Sequence, residues 1–138
     1  MKLSQLENNI KNKKSFLCLG LDSDIDKIPK HLLGNSDPVF EFNKILIDEL
    51  NQKIVAVKLN TAFYESRGAA GWTSMEKTIN YLNKFYPELF TIADAKRGDI
   101  GNTSKMYAKA FFENLNFDSI TLSPYIDRKS TRLNSSHQ

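Results

Sequence analysis

The sequence predicts an α/β fold built on a parallel sheet, and three observations carry that expectation. Short runs that are apolar at consecutive positions alternate with longer stretches whose apolar residues recur at helical spacing. Strands that are apolar on both faces belong to parallel sheets wrapped by helices. Polar residues able to do chemistry stand at the C-terminal end of each run: Asp22, Lys58 with Asn60, Asp94 with Lys96, and Ser123. A doubly wound open sheet and a barrel of eight βα units both fit this pattern. No Gly-x-Gly-x-x-Gly or Walker-type loop follows any run, which lowers the nucleotide-binding open sheet. Barrel enzymes place their active sites at the strand C-termini. Four units make half a barrel, so the expected fold is the first four βα units of a (β/α)8 TIM barrel, truncated.

The elements follow in order. A first amphipathic helix is expected over about residues 4–13, with Ser4 as N-cap and Glu7 completing a capping box. Phe16-Leu17-Cys18-Leu19-Gly20-Leu21 reads as a strand followed by an acidic loop, and Cys18 inside it predicts inert packing. Residues 38–52 form a helix, with Val39, Phe42, Ile45, Leu46, Glu49 and Leu50 at helical spacing. Ile54-Val55-Ala56-Val57-Lys58-Leu59 is the second strand. A glycine-rich loop, Arg67-Gly68-Ala69-Ala70-Gly71, leads to a helix capped by Thr73, with Glu76 three residues on, that stops at Pro87. The third strand spans residues 89–94. The next helix, about 103–116, carries Met106, Tyr107, Ala110, Phe111 and Leu115 on one face. Asp118-Ser119-Ile120-Thr121-Leu122-Ser123 is the fourth strand, closed by Pro124.

A chain of 138 residues has room for one domain. Its 41% hydrophobic and 25% charged residues are ordinary for a globular protein, so composition selects no unusual class. No run approaches a membrane span, and the N-terminus lacks the apolar core of a signal peptide. A single cysteine, Cys18, excludes an internal disulfide framework and suits a reducing cytoplasm. The net charge of +3 is misleading as a sign of nucleic-acid binding. Arg128, Lys129 and Arg132 supply it, and without residues 128–138 acidic and basic residues balance. Residues 127–138 have no apolar periodicity and are rich in Ser, Asn and charge. They are expected to be a non-native or disordered tail, with residues 1–126 forming the half-barrel.

The strongest local signal is Asp94-Ala95-Lys96-Arg97-Gly98-Asp99-Ile100 at the end of an apolar strand. Strand side chains alternate, so Asp94 and Lys96 are expected on one side where the strand ends. Lys58 and Asn60 share a side on the preceding strand. Neighbouring parallel strands lie about 4.8 Å apart. Lys58 therefore comes within reach of Asp94, giving an alternating Lys-Asp-Lys array. Close opposite charges at a strand end are a signature of chemistry, although a structural ion-pair network has the same composition. Asp99 begins the loop to the next helix, where it serves either chemistry or the helix dipole. Thr103 is either a binding group or that helix's N-cap. Asp22-Ser23-Asp24-Ile25-Asp26 superficially starts a calcium loop, but Lys27 stands at its sixth position and Leu33 at its twelfth, which excludes calcium. No His/Cys/carboxylate set has metal-ligand spacing, and no covalent nucleophile is indicated.

Asp94 to Thr103 resembles the signature of the orotidine 5′-phosphate decarboxylase family. Leu19-Gly20-Leu21-Asp22 resembles that family's first strand and Val57-Lys58-Leu59-Asn60 its second. Phe63-Tyr64-Glu65 and Ser123-Pro124-Tyr125 resemble its longer-chain bacterial and protozoan branch. The resemblance covers about residues 2–125. It implies a cytoplasmic (β/α)8 homodimer that converts orotidine 5′-monophosphate to uridine monophosphate and CO2 in pyrimidine biosynthesis, with no metal or cofactor. It further implies a charged tetrad of Lys58, Asp94, Lys96 and Asp99, with Asp99 supplied by the partner subunit. Asp22, Asn60 and Thr103 match positions that hold the ribose, and Ile100 matches an apolar contact with the pyrimidine. The family's phosphate-gripping loops follow strands seven and eight, so the chain as written is expected to have little or no activity. Two other readings stay open. One is a magnesium-dependent sugar-phosphate decarboxylase of the same superfamily, which carries an acid where this chain has Lys58. The other is a non-catalytic half-barrel that self-associates through its sheet edge.

Overall fold

The computed structural model describes residues 1–123. Pro124, Tyr125 and the expected tail at 127–138 lie outside the described residues. Four strands, β1 (Cys18–Gly20), β2 (Ala56–Asn60), β3 (Phe90–Arg97) and β4 (Ser119–Leu122), form one sheet in the order β1-β2-β3-β4. All neighbouring pairs are parallel. Sequential order with helical crossovers is the barrel arrangement; a doubly wound sheet reverses order at its middle. The helices are α1 (Leu3–Lys13), α2 (Pro38–Leu50), α3 (Thr61–Glu65), α4 (Gly68–Phe85) and α5 (Gly101–Ala108), the last continuing as a π-helical stretch, Lys109–Asn114.

One sheet face packs against the helices. Val57 and Leu59 of β2, and Thr91, Ala93 and Ala95 of β3, are buried on that face. They meet Ile47 of α2, Ile79 and Leu82 of α4, and Phe111 beyond α5 in a single core. Fully burying each large aliphatic side chain contributes about 1.5–3 kcal/mol, so this face supplies most of the cohesion. The other face carries Lys58, Asn60, Ile92 and Asp94 at intermediate exposure. Burial on both faces, which the apolar runs suggested, therefore does not hold. It fails most at β1, where Phe16 and Leu17 are 82% and 58% exposed and Cys18 is exposed rather than packed. Among the described residues β1 has a strand neighbour on one side only, so apolar character there marks the strand but not its burial.

α1 lies across the N-terminal end of the sheet, opposite the charged strand ends. Lys13 Nζ donates to Asn51 O at 2.7 Å and Ile54 O at 2.9 Å ahead of β2. Asn9 donates to Glu88 O ahead of β3, and the Met1 ammonium meets Asp118 at 2.7 Å ahead of β4. The N-cap of α1 is Lys2, whose backbone N–H is taken by Gln5 at 2.8 Å; Ser4 lies inside the helix. A side chain three residues on can close the box from Gln as well as from Glu.

The glycine-rich stretch at 67–71 is the first turn of α4 rather than a loop. Gly71 is needed for close approach: a Cβ there would stand 1.7 Å from Tyr64 O, so only glycine lets α4 fold back on α3. Thr73 is consequently interior, and its hydroxyl donates back to Ala69 O at 3.0 Å. In α2 the buried stripe is Val39, Asn43 and Ile47, while Ile45 is 43% exposed and Glu49 is also exposed. The α5 N-cap is Ile100, so Thr103 is not the cap, and Met106 is 60% exposed.

Asn43 is wholly buried because its amide is the hub of a polar network. Its Oδ1 pairs with Ser23 Oγ, and its Nδ2 donates to Tyr64 Oη and Thr78 Oγ1, both at 3.0 Å. Tyr64 Oη in turn donates to Leu21 O at 2.9 Å. Burial pushes the Tyr64 phenol up to about 12, so it stays a donor at neutral pH. The network fixes the backbone on either side of Asp22 from below.

Candidate active site

The C-terminal strand ends bring five of the expected residues together. Lys58 and Asn60 rise from the same face of β2, and Asn60 stands level with Asp94 of β3. Lys58 Nζ lies 3.3 Å from Asp94 Oδ2 and 3.6 Å from Asp22 Oδ1, bridging the two carboxylates. Asn60 Nδ2 donates to Asp22 Oδ2 at 3.3 Å, and Asn60 Oδ1 accepts the Ala62 N–H, capping α3.

β3 reaches Lys96 by a route that alternation does not predict. The strand continues to Arg97, and its register with β4 slips: Ala93 pairs Ile120, yet Arg97 pairs Leu122. β3 thus takes four steps where β4 takes two, and the surplus is a bulge. Within it Lys96 adopts a left-handed φ of 50°, uncommon for a residue with a side chain. Its Nζ comes 2.7 Å from Asp94 Oδ1. The two meet as expected, through a bulge rather than simple parity.

Thr121 of β4, which sequence reading passed over, completes the arrangement. Its Oγ1 donates to Asp94 Oδ1 at 2.8 Å and accepts the Lys96 N–H at 3.0 Å. Asp94 thereby receives three donors while its side chain is 13% exposed. The Lys96 hydrogen bond, with those of Thr121 and Lys58, outweighs desolvation and holds the Asp94 carboxyl below its ordinary value of 3.8. The sign follows by linkage: this pairing stabilises the fold above the ordinary carboxylate range and is lost as pH falls through the folded pKa.

A second ion pair anchors the end of β3. Arg97 pairs with Glu65 of α3, donates to Ala95 O at 2.8 Å, and lies 5.7 Å and 5.8 Å from the Tyr107 and Phe111 rings. Thr61 Oγ1 donates to Glu65 at 3.0 Å. From this anchor departs the loop carrying the remaining candidates. Asp99 Oδ1 accepts the Ile100 N–H at 2.7 Å, and Ile100 is 64% exposed. Asp99, Ile100 and Thr103 make no hydrogen bond or ion pair with the cluster among the described residues.

The arrangement can hold an anion-forming centre. Lys96 is 66% exposed and directs one of its three donors at Asp94, which leaves donors for a ligand. Fixed ammonium groups beside a carboxylate suit a reaction in which negative charge develops at a defined atom. Among the described residues, no three His, Cys, Asp or Glu side chains cluster as metal ligands.

The family described as "Orotidine 5'-phosphate decarboxylase / HUMPS family" matches residues 15–132. An orotidine 5′-phosphate decarboxylase from Flavobacterium johnsoniae is 62% identical over 130 residues, covering 94% of this chain and 48% of its own length. That of Christiangramia forsetii is 60% identical with the same coverage. The solved Leishmania donovani OMP decarboxylase superposes with a TM-score of 0.79 at 32% identity, covering 97% of this chain and 48% of that one. The chain spans about half the length of the curated relatives it matches.

Proposed function

The chain belongs to the orotidine 5′-phosphate decarboxylase / HUMPS family, and from that premise we propose that the whole protein converts orotidine 5′-monophosphate to uridine monophosphate and CO2. The observation that carries the reading is the Lys58–Asp94–Lys96 array at the strand ends. In this reading the substrate's C6–carboxylate bond breaks, its electron pair stays on C6, and CO2 departs. Lys96 stabilises the charge as it develops and transfers a proton from Nζ to C6, to be reprotonated from water. Asp94, held ionised, faces the carboxylate that leaves and disfavours the charged ground state. Lys58 holds Asp94 and Asp22 in register. Asp22 and Asn60 bind the ribose.

Asp99 is proposed to act across a homodimer, entering the partner's site beside Lys96, while Thr103 contributes to ribose binding and Ile100 to an apolar contact with the pyrimidine. The Asp99 loop stands apart from the chain's own cluster, which supports its assignment in trans. The proposed setting is the cytoplasm, and the proposed chemistry uses no metal or cofactor. The acid expected on strand two of magnesium-dependent relatives is replaced here by Lys58, which disfavours that alternative.

The experiment joins residues 1–123 to the remaining half of the Flavobacterium johnsoniae relative and measures consumption of orotidine 5′-monophosphate with and without magnesium. The expected outcome is metal-independent turnover by the hybrid and little or none by the 138-residue chain, which lacks the loops expected to grip phosphate. Turnover that requires magnesium, or a folded hybrid that leaves this substrate untouched, would overturn the reading.

A further inference from the structure

The bulge in β3 creates two needs at one place. Slippage of the ladder between Ala93 and Arg97 takes the Lys96 N–H away from any regular partner on β4. The left-handed backbone at Lys96 also needs something to hold it. Asp94 is held by two long, flexible lysine side chains, Lys96 on Oδ1 and Lys58 on Oδ2, and a donor from a short, stiff side chain fixes its last torsion more firmly. A hydroxyl can meet both needs, because it donates once and accepts twice. Thr121 stands opposite the bulge and does both, at 3.0 Å and 2.8 Å.

We propose that Thr121 is the positioning residue of the charged array, its single hydroxyl tying the Lys96 backbone to the Asp94 carboxylate so that both arrive preset. The neighbours support a specific role for the hydroxyl. Ser119 Oγ on the same strand donates to a backbone carbonyl, Thr91 O, at 3.2 Å, and Ser123 uses its backbone N–H on Arg97 O. Among the described β4 residues, Thr121 alone directs its hydroxyl to a side chain of the array. Val and Ser divide its functions cleanly. Val keeps the β-branch that suits a strand and removes the hydroxyl, whereas Ser keeps the hydroxyl and removes the methyl.

The catalytic meaning of this placement rests on the decarboxylase reading, but its test does not. In the full 138-residue chain, the Asp94 carboxyl carbon is titrated by NMR and exchange of the Lys96 amide is followed. Groups facing Asp94 are Lys58 of β2, Lys96 of β3 and Thr121 of β4, with Asp22 beyond Lys58. Thr121→Val removes a donor to the ionised form, so the Asp94 midpoint should rise by about half to one pH unit. Lys96 amide exchange should quicken by about tenfold for the loss of one hydrogen bond. Thr121→Ser should restore both. Thr121→Ala serves as a second hydroxyl-free variant should Val disturb the strand, with the same expectation. A hydroxyl-free variant that titrates and exchanges like the parent, or a Ser variant that behaves like Val, would overturn the proposal. In the hybrid enzyme the same change should lower kcat about tenfold to a hundredfold with KM little moved. Absence of turnover in the unsubstituted hybrid would count against the decarboxylase reading alone and leave the titration result standing.

Discussion

Two aspartates at the strand ends, Asp94 and Asp22, occupy different physical situations. Asp94 sits on an inner strand with β2 and β4 on either side, and donors from three strands converge on it at 2.7, 2.8 and 3.3 Å. Asp22 follows the edge strand β1, is 44% exposed, and meets two partners no closer than 3.3 Å. The difference teaches that organisation at a sheet end comes from neighbouring strands. A carboxylate flanked on both sides is preset, and one at an edge relies on whatever lies beneath it. For the proposed reaction this division is useful. The atoms that stabilise charge must not reorganise during the reaction, whereas those that hold a sugar can adjust on binding.

The largest effect that would break the comparison is functional. In the hybrid enzyme Lys96→Ala removes both the fixed charge and the proton donor, and turnover should fall by about ten-thousandfold or more. Asp22→Asn should cost only about tenfold to a hundredfold, mainly as raised KM, the loss of one charged hydrogen bond to substrate. Steady-state kinetics of the two variants decide the matter. Equal losses, both in kcat, would mean that the edge carboxylate is as much a part of the charge machinery as the inner array.

A smaller effect concerns what holds the Asp22 side. The buried amide of Asn43 secures Ser23 and Tyr64, and through Tyr64 the carbonyl of Leu21. Asn43→Leu leaves the Ser23 hydroxyl without its acceptor and removes the donor to Tyr64 Oη and Thr78 Oγ1, at a cost of about 2 kcal/mol read from denaturant unfolding. Amide exchange should rise at residues 21–23 and stay unchanged at 94–96. Uniform loosening would show that the two sides are one cooperative unit.

How much of this was legible follows from particular residues. The parallel order, the strand positions and the convergence of Asp22, Lys58, Asn60, Asp94 and Lys96 were legible because apolar runs and strand-end polar residues are local patterns. The bulge was not, since it arises from the pairing of β3 with β4, and no local pattern announces a left-handed lysine. Thr121 was hidden for the same reason: a threonine in a strand is ordinary until its partner is known. Asn43 interrupts an apolar stripe in α2 and could have been noticed as a buried polar position, because Val39 and Ile47 flank it at helical spacing. The helix starts failed most often. Ser4, Thr73 and Thr103 are all good capping residues that lie inside their helices, where tertiary packing and glycine at 71 set the boundary.

The smallest expected effect tests the edge itself. Cys18 of β1 was expected to be packed and inert, yet it is exposed, on the sheet face that it shares with Lys58. Desolvation of the sulfur pushes its thiol up from the ordinary value of 9.0, with the Lys58 charge acting in the opposite direction. Only the thiolate attacks an alkylating reagent, so at neutral pH Cys18 should react a few-fold more slowly than a small-molecule thiol, although reagent can reach it. Closure of a barrel encloses the sheet face that Cys18 shares with Lys58 and fills it with side chains of the added strands. In the hybrid with the relative's second half, Cys18 should therefore become protected by about tenfold or more relative to the 138-residue chain. Mass-spectrometric alkylation rates on the two proteins measure this directly. Equal reactivity in a folded, active hybrid would mean that β1 stays open at Cys18 even when the second half is present, and the contrast between edge and interior would then belong to the strand itself.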